Sequence, residues 1–449
     1  MPPPDVNKFD VIVIGLGIGG LQLVNLLLDQ TEMRICAFES AESVGGLVVT
    51  KSFAEGEGHN MGPSYHLKEH VNLEQLLNKF DSNCTCFPES SPESAFFYSA
   101  LRKENTQAHA NKYIHAMRVL DDIKERSEYL SKGATEENLK VLQKALPWYD
   151  EIVDFEINYF DSESDKCVCG DYQKELIDPL FQKIKKKDKR VSIYLKNKVK
   201  FINKFENDWL VQINDVSTQY ACTHLVVAAP VPALGQIKLL TDVPEDVKEH
   251  VGYLSKTITP KASMRVFVRI QNKNLVAKVC NAVKALLTNH NKYYMHLLTT
   301  LEGNKSLSPL WSMIFMPEEG CEYYDFLLAY CDSDAADFLH TKYQRDNNIF
   351  DNLLRSALEK SLGITANELP AEIDAQYINF YSSNAYHVWE RETDLNSHNR
   401  ETARMAKKHR IHFVGEAYSE NYRTWIEGAL VTAKAAADIL QKHKITNSP

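Results

Sequence analysis

The run Asp10-Val11-Ile12-Val13-Ile14, followed at once by Gly15-Leu16-Gly17-Ile18-Gly19-Gly20, constrains this chain more than any other feature. A short β-branched stretch that ends on glycine predicts a buried parallel strand. Leu21, Val24, Leu27 and Leu28 then recur at helical spacing, and Met33 to Phe38 predicts a second strand. The glycines thus lie between strand and helix at G-x-G-x-x-G spacing. Gly15 permits the tight turn, Gly17 lets backbone approach a pyrophosphate, and Gly20 lets the helix pack closely on the strand. The helix start offers unpaired N–H groups and a positive dipole end to phosphate oxygens. Glu39 closes the second strand, where a carboxylate can accept hydrogen bonds from an adenosine ribose. Val44-Gly45-Gly46 fits a second close approach of backbone to the same dinucleotide.

Beyond this opening the periodicity changes. Tyr113, Ile114, Met117, Leu120 and Ile123 suit an amphipathic helix between Thr106 and Leu130, and a second helix is expected from Glu136 to about Phe155, ended or kinked at Pro147. Residues 81–185 therefore read as largely helical. Val199–Ile202 and Trp209–Ile213 flank Asn207-Asp208 as a hairpin, and His224–Ala229 is a buried strand stopped by Pro230. Alternating runs at Met264–Ile270, Tyr294–Leu298, Trp311–Met316 and Phe326–Tyr330 predict a mixed or antiparallel sheet. Helices are expected near 333–342 and 348–362, strands at Gln376–Tyr381 and Ile411–Val414, and a helix at Glu427–Gln441.

A net charge of -9 argues against a nucleic-acid partner, which requires a basic face. The basic run Lys183–Arg190 reads as a solvated helix end. No apolar run long enough for a membrane span is found, and the N-terminus does not read as a secretory signal. The odd count of nine cysteines then predicts mostly reduced thiols and a cytoplasmic location. Cys84/Cys86 and Cys167/Cys169 match zinc-ligand spacing poorly, so no metal is expected.

Four blocks in chain order, covering about a third of the residues, resemble the flavin-containing amine oxidase superfamily, which includes monoamine, polyamine and L-amino-acid oxidases. Phe38-Glu39-Ser40-Ala41-Glu42-Ser43-Val44-Gly45-Gly46 resembles its early FAD fingerprint. Asn60-Met61-Gly62-Pro63-Ser64-Tyr65 resembles the block lining flavin and substrate cavity. Val199 to Pro230 is similar to the adenine-contacting strands, with Val199 at the matching position. Ile411 to Ala417 and Thr424 to Ala429 match the block that binds pyrophosphate and aims a helix N-terminus at the flavin ring. The resemblance implies FAD held by Gly15, Gly17, Gly19 and Gly20, by Glu39 and Ser40, by Gly45, Gly46 and Leu47, by Gly62, Pro63 and Ser64, by Val199, and by Gly415, Glu416, Trp425 and Ile426. It implies an α/β fold: a Rossmann-type FAD-binding domain (1–80, 186–262, 396–449) interleaved with a mixed-sheet plus helical substrate domain (81–185, 263–395).

Departures from the family pattern carry information. Leu47 stands where an arginine usually follows Gly-Gly. Ala385 occupies the position of the covalent flavin cysteine of monoamine oxidases, which implies non-covalent FAD. Tyr386 and Trp425 fall at the two positions of the aromatic cage that holds substrate. Tyr65 lies on the substrate side, where L-amino-acid oxidases carry an arginine. Arg265 aligns with the lysine placed near flavin N5, with Lys261 the alternative; an arginine stays protonated and could bind a carboxylate, or either charge could be a solvated strand end. His59 and His66 read as packed or surface histidines rather than catalytic ones. The resemblance implies oxidation of a small amine or amino acid by hydride transfer to flavin N5, with oxygen as acceptor. A desaturase or dehydrogenase acting on C–C bonds of an apolar substrate, and a non-catalytic FAD-binding protein, share the N-terminal fingerprint and stay open.

Overall fold

The computed structural model describes residues 7–52, 58–87, 98–99, 115–120, 122–123, 133–145, 166–187, 189–214, 218–289, 294–299, 310–317, 320–371, 373, 375–390 and 393–446. The chain opens with β1 (Asn7–Ile14), α1 (Ile18–Gln30) and β2 (Ile35–Phe38). Short strands β3 (Thr50–Ser52), β4 (Gly58–Asn60) and β5 (His66–Leu67) lead to α2 (Val71–Lys79). Then come β6 (Cys84–Phe87), β7 (Tyr98–Ser99), α3 (Glu136–Ala145), β8 (Lys166–Cys169) and α4 (Asp178–Lys187). Strands β9 (Val191–Tyr194), β10 (Val199–Phe205), β11 (Asp208–Ile213), β12 (Gln219–Val227) and β13 (Lys238–Leu239) precede α5 (Glu245–Thr257). The next stretch holds β14 (Ile258–Ile270), α6 (Lys273–Asn289), β15 (Tyr294–Thr299), β16 (Leu310–Phe315) and β17 (Tyr324–Asp332). Helices α7 (Ser333–Arg345) and α8 (Ile349–Ser361), β18 (Ala375–Trp389), α9 (Leu395–His409), β19 (Ile411–Phe413) and α10 (Ile426–Thr446) complete the chain.

The first sheet runs β13-β10-β11-β12-β1-β2-β9, with β19 also paired to β12. Its central strand β1 is parallel to both neighbours. Val11 and Val13 enter a core shared with α1 and α10, while Ile12 and Ile14 enter a second core shared with α5. A strand covered on both faces needs apolar residues at every position, which is why this run shows no alternation. The second sheet, β18-β14-β17-β16-β15-β7, is antiparallel except where β7 joins β15. Here one face suffices: Met264, Val266, Val268 and Ile270 pack against α6, α7 and α8. Phe267, on the opposite face, meets Met61 just beyond β4.

That face also joins the sheet to the glycine-rich half. Arg269, fully buried, donates two bonds of 2.7 Å to Asp325, and His59 on β4 lies 2.9 Å from the same carboxylate. A charge buried this deeply is tolerated only when paired, and removing one partner would leave the other uncompensated. His59 is thus a packed residue, stacked 4.4 Å from Phe267.

Several expectations are corrected. Cysteines 84, 86, 167 and 169 are not free: β6 and β8 pair so that Cys84 faces Cys169 and Cys86 faces Cys167, and both pairs are disulfides. Residues 81–185 carry β6, β7 and β8 besides helix, and Tyr172, Leu176, Ile177, Leu180 and Ile184 pack into the core around α1 rather than with the second sheet. Of the helix expected over 106–130, residues 115–120 and 122–123 are helical; the remainder, and Pro147, lie outside the described residues. The hairpin turn sits one residue earlier than expected, at Glu206-Asn207, with Glu206 at φ 53°. Lys183 and Arg190 are not simply solvated, since they bond Asp29 and Glu32 respectively at the C-terminal end of α1. Helices α2, α5, α6 and α9 fall where no helix was expected.

Candidate active site

The turn after β1 is built by close contacts. Gly15 adopts φ 98°, and a Cβ there would lie 2.6 Å from the Ala228 carbonyl oxygen. A Cβ on Gly20 would sit 2.1 Å from the Gly15 oxygen, so helix and strand approach at a distance only glycine allows. Gly19 faces Val414 and Ala429, which brings the start of α10 against α1. Gly17 differs from these. It is the N-cap of α1, with no side-chain cap and no acid in the first turn. A Cβ on it would meet only the Gly46 Cα, at 3.9 Å. Uncapped N–H groups beside open glycine backbone suit an anion, so these residues fit a dinucleotide pyrophosphate.

Glu39 stands next to this turn. Its carboxylate accepts N–H bonds from Leu16 (2.8 Å) and Ala41 (2.9 Å), and Ser40 Oγ lies 3.3 Å away. The Glu39 carbonyl accepts from Asn197, which draws the start of β10 and buried Val199 toward it. On the other side Gly45 bridges to Gly17 and its N–H donates to the Leu16 carbonyl at 2.8 Å. Leu47 backs onto the next block, because a Cβ on Gly62 would lie 1.9 Å from the Leu47 oxygen. Pro63 and Ser64 follow, half-exposed, and Tyr65 is exposed.

Tyr65 reaches the C-terminal end of the chain. Its ring meets Trp425 edge-on at 5.3 Å between centroids. His70, fully buried at the N-cap of α2, contacts Trp425 (4.9 Å) and Tyr422 (5.5 Å). Burial, then the neighbouring His66, pushes His70 down to about 3, so it is a neutral imidazole. His66 in turn is tied to Tyr172 (2.7 Å) and Glu74 (2.6 Å). Glu427, one residue past Ile426, accepts N–H bonds from Asn72 (3.0 Å) and Leu73 (2.9 Å) and so caps α2 from the far end of the sequence. Neither His70 nor Glu427 was singled out by sequence reasoning, because both roles arise from contacts between chain ends.

Gly415 donates its N–H to Thr432 Oγ (3.0 Å). Glu416 binds His387 through one oxygen and the Thr424 N–H (3.0 Å) through the other, which holds the strained segment before α10, where Tyr422 and Thr424 have φ of 62° and 67°. Tyr386 is buried on β18 and pairs with Lys261 on β14, which puts these two residues on one face of the sheet. Arg265 is mid-strand rather than at a strand end: it stacks over Tyr330 (4.9 Å) and lies 3.5 Å from the Asn60 carbonyl. The structure therefore joins Glu39, Gly17, Gly46, Leu47, Gly62, Tyr65 and Trp425 in one line of contacts, while Tyr386, Lys261 and Arg265 come from the second sheet.

Comparisons with known proteins give the family and the fold. A family model described as flavin containing amine oxidoreductase matches residues 150–441. Among solved structures, a double mutant of putrescine oxidase made to redesign cofactor binding superimposes with a TM-score of 0.60 over 97% of this chain and 99% of that one, at 13% identity. That likeness shows a shared fold. No curated protein matches the sequence.

Proposed function

The chain belongs to the flavin-containing amine oxidoreductase family and is an FAD-dependent oxidoreductase; from that premise we propose that it oxidises a small amine, with oxygen as the final acceptor. The observation that carries this reading is the unbroken line of contacts from Glu39 through Gly17 and Gly46 to the Tyr65–Trp425 corner.

FAD, when bound, would supply the electron sink for oxidation of a C–H bond next to nitrogen, with imine and hydrogen peroxide as the products once oxygen is reduced. The protein's share is positioning and exclusion of water. Glu39 and Ser40 would hold the ribose, the α1 N-terminus and Gly45-Gly46-Leu47 the pyrophosphate, and Gly62-Pro63-Ser64 and Gly415-Glu416 the flavin side. Tyr65, Trp425 and Tyr386 form apolar walls that favour a neutral amine. Lys261 pairs with Tyr386 across the sheet and so lies beside the cage position, while Arg265 stacks over Tyr330. Ala385 offers no thiol, so acid precipitation releases the flavin into the supernatant. Two disulfides suit an oxidising compartment better than the cytoplasm. Among the described residues no helix is long and apolar enough to cross a membrane.

The test is anaerobic reduction of the purified yellow protein. Bleaching by a primary amine, with peroxide released on admitting air, is the expected result; bleaching only by a saturated apolar compound that is left with a C=C bond would transfer the protein to desaturation chemistry. Trp425→Ala should keep the FAD content and lower turnover about 10-fold or more, because the substrate loses a wall that sets its approach. Unchanged kinetics would remove Trp425 from the site.

A further inference from the structure

All nine cysteines are described, and they fall into three groups. Four form the two bonds between β6 and β8. Cys36, Cys222 and Cys331 are buried on strands of the two sheets. The last two, Cys280 on α6 and Cys321 just ahead of β17, are half-buried, and their sulfurs lie 2.9 Å apart. A disulfide needs about 2.05 Å, so closure asks for a movement of about 0.9 Å, within the reach of side-chain rotation. Both side chains pack on the core of the second sheet, where Val276, Val279 and Val283 anchor α6. Among the described residues, no third ligand joins the two sulfurs in a metal-binding group.

We propose that Cys280 and Cys321 are a third disulfide site, formed after folding has brought α6 against the approach to β17. The oxidant is a small disulfide such as oxidised glutathione. One cysteine sulfur attacks it, forming a mixed disulfide and releasing one glutathione thiol. The other cysteine then displaces the second glutathione, so two protein thiols lose their hydrogens, the small disulfide is reduced to two thiols, and the S–S bond remains in the protein. The bond spans a sequence separation of 41 residues and encloses β15 and β16, tying the helix to the strand edge of the same core. Loops of this length are those in which a crosslink restricts the unfolded chain substantially.

Native protein equilibrated with excess oxidised glutathione, then denatured and alkylated without reduction, tests this. The expected thiol count is three, from Cys36, Cys222 and Cys331, with a Cys280–Cys321 crosslinked peptide in the digest. Cys280→Ser should leave Cys321 without its partner, so that either the count rises to four with the added thiol mapping to Cys321, or it stays at three with glutathione on Cys321. A count of five with the β6–β8 peptides crosslinked overturns the proposal. So does glutathione retained on Cys280 or Cys321 of the unmutated protein, or a chain with no internal disulfide under these conditions. The unmutated protein alone decides the matter if the variant fails to fold.

Discussion

Gly17 and Gly20 stand in the same turn for opposite reasons, and substitution separates them. Gly17 has φ -62° and free space ahead of its Cα, so a side chain fits the apo protein. Gly17→Asp even supplies the side-chain N-cap that α1 lacks, worth about 0.3 kcal/mol to the helix relative to glycine. The carboxylate would then occupy the place of the pyrophosphate and repel it. The expected outcome is a protein that melts no lower than the unmutated apo form and is colourless after purification; a yellow Gly17→Asp protein would refute the phosphate placement. Gly20→Ala should do the reverse damage. Its Cβ would enter the Gly15 carbonyl at 2.1 Å, so strand, turn or helix must move, at a cost of about 1–3 kcal/mol seen in the melting temperature of the apo protein. The close packing at Gly20 was readable from the sequence because its contact with Gly15 is local. Trp425 was reachable only through resemblance, and His70 not at all, since its partners Trp425 and Tyr422 come from the other end of the chain.

At the scale of elements, α2 depends on a residue that is not its own. His70 gives α2 no side-chain cap, and Glu427 in the first turn of α10 receives the Asn72 and Leu73 N–H groups instead. Glu427→Ala should cost about 1–2 kcal/mol in urea unfolding, with faster amide exchange confined to the start of α2; loss spread evenly over the molecule would contradict the capping role. Such long-range capping leaves no local trace. The same limit explains what the sequence hid elsewhere. The strand–glycine–helix opening and the alternating β14 were legible, as burial imposes a period on each. α6 was not, although Leu275, Val276, Val279, Val283 and Leu287 follow one helical stripe, because its valines read equally well as strand residues beside neighbouring strands. β6 and β8 lack an apolar stripe, and pair through cysteines whose partner cannot be named from spacing alone.

The whole molecule carries several neutral histidines in its interior, and they set its response to acid. Burial pushes His398 down to about 3, helped by His250 and Arg423, just as it does His70. His250 is lowered too, chiefly by burial. In the unfolded chain these imidazoles take up a proton near the ordinary value of about 6.5. Between that pH and about 3 the unfolded state therefore binds protons that the native state refuses, and stability falls as pH falls. At pH 5 the loss is about 2 kcal/mol for each of His70 and His398, relative to neutral pH. Carboxylates enter only lower down. Burial alone would raise Asp246, but Lys408, His409 and Arg404 together hold it well below the usual range, so its contribution is kept at pH 5 and above and is lost as pH falls past the unfolded-chain value of about 4. His398 packs edge-on against Trp389 at 4.3 Å, far from the glycine loops in sequence, and phenylalanine can fill that place without a proton site. Apo protein should melt several degrees lower at pH 5 than at pH 7, and His398→Phe should recover about 2 kcal/mol of that difference. Equal acid sensitivity in the two proteins would mean that His398 already binds its proton in the fold, and that the interior between α5, α9 and β18 is more polar than its packing indicates.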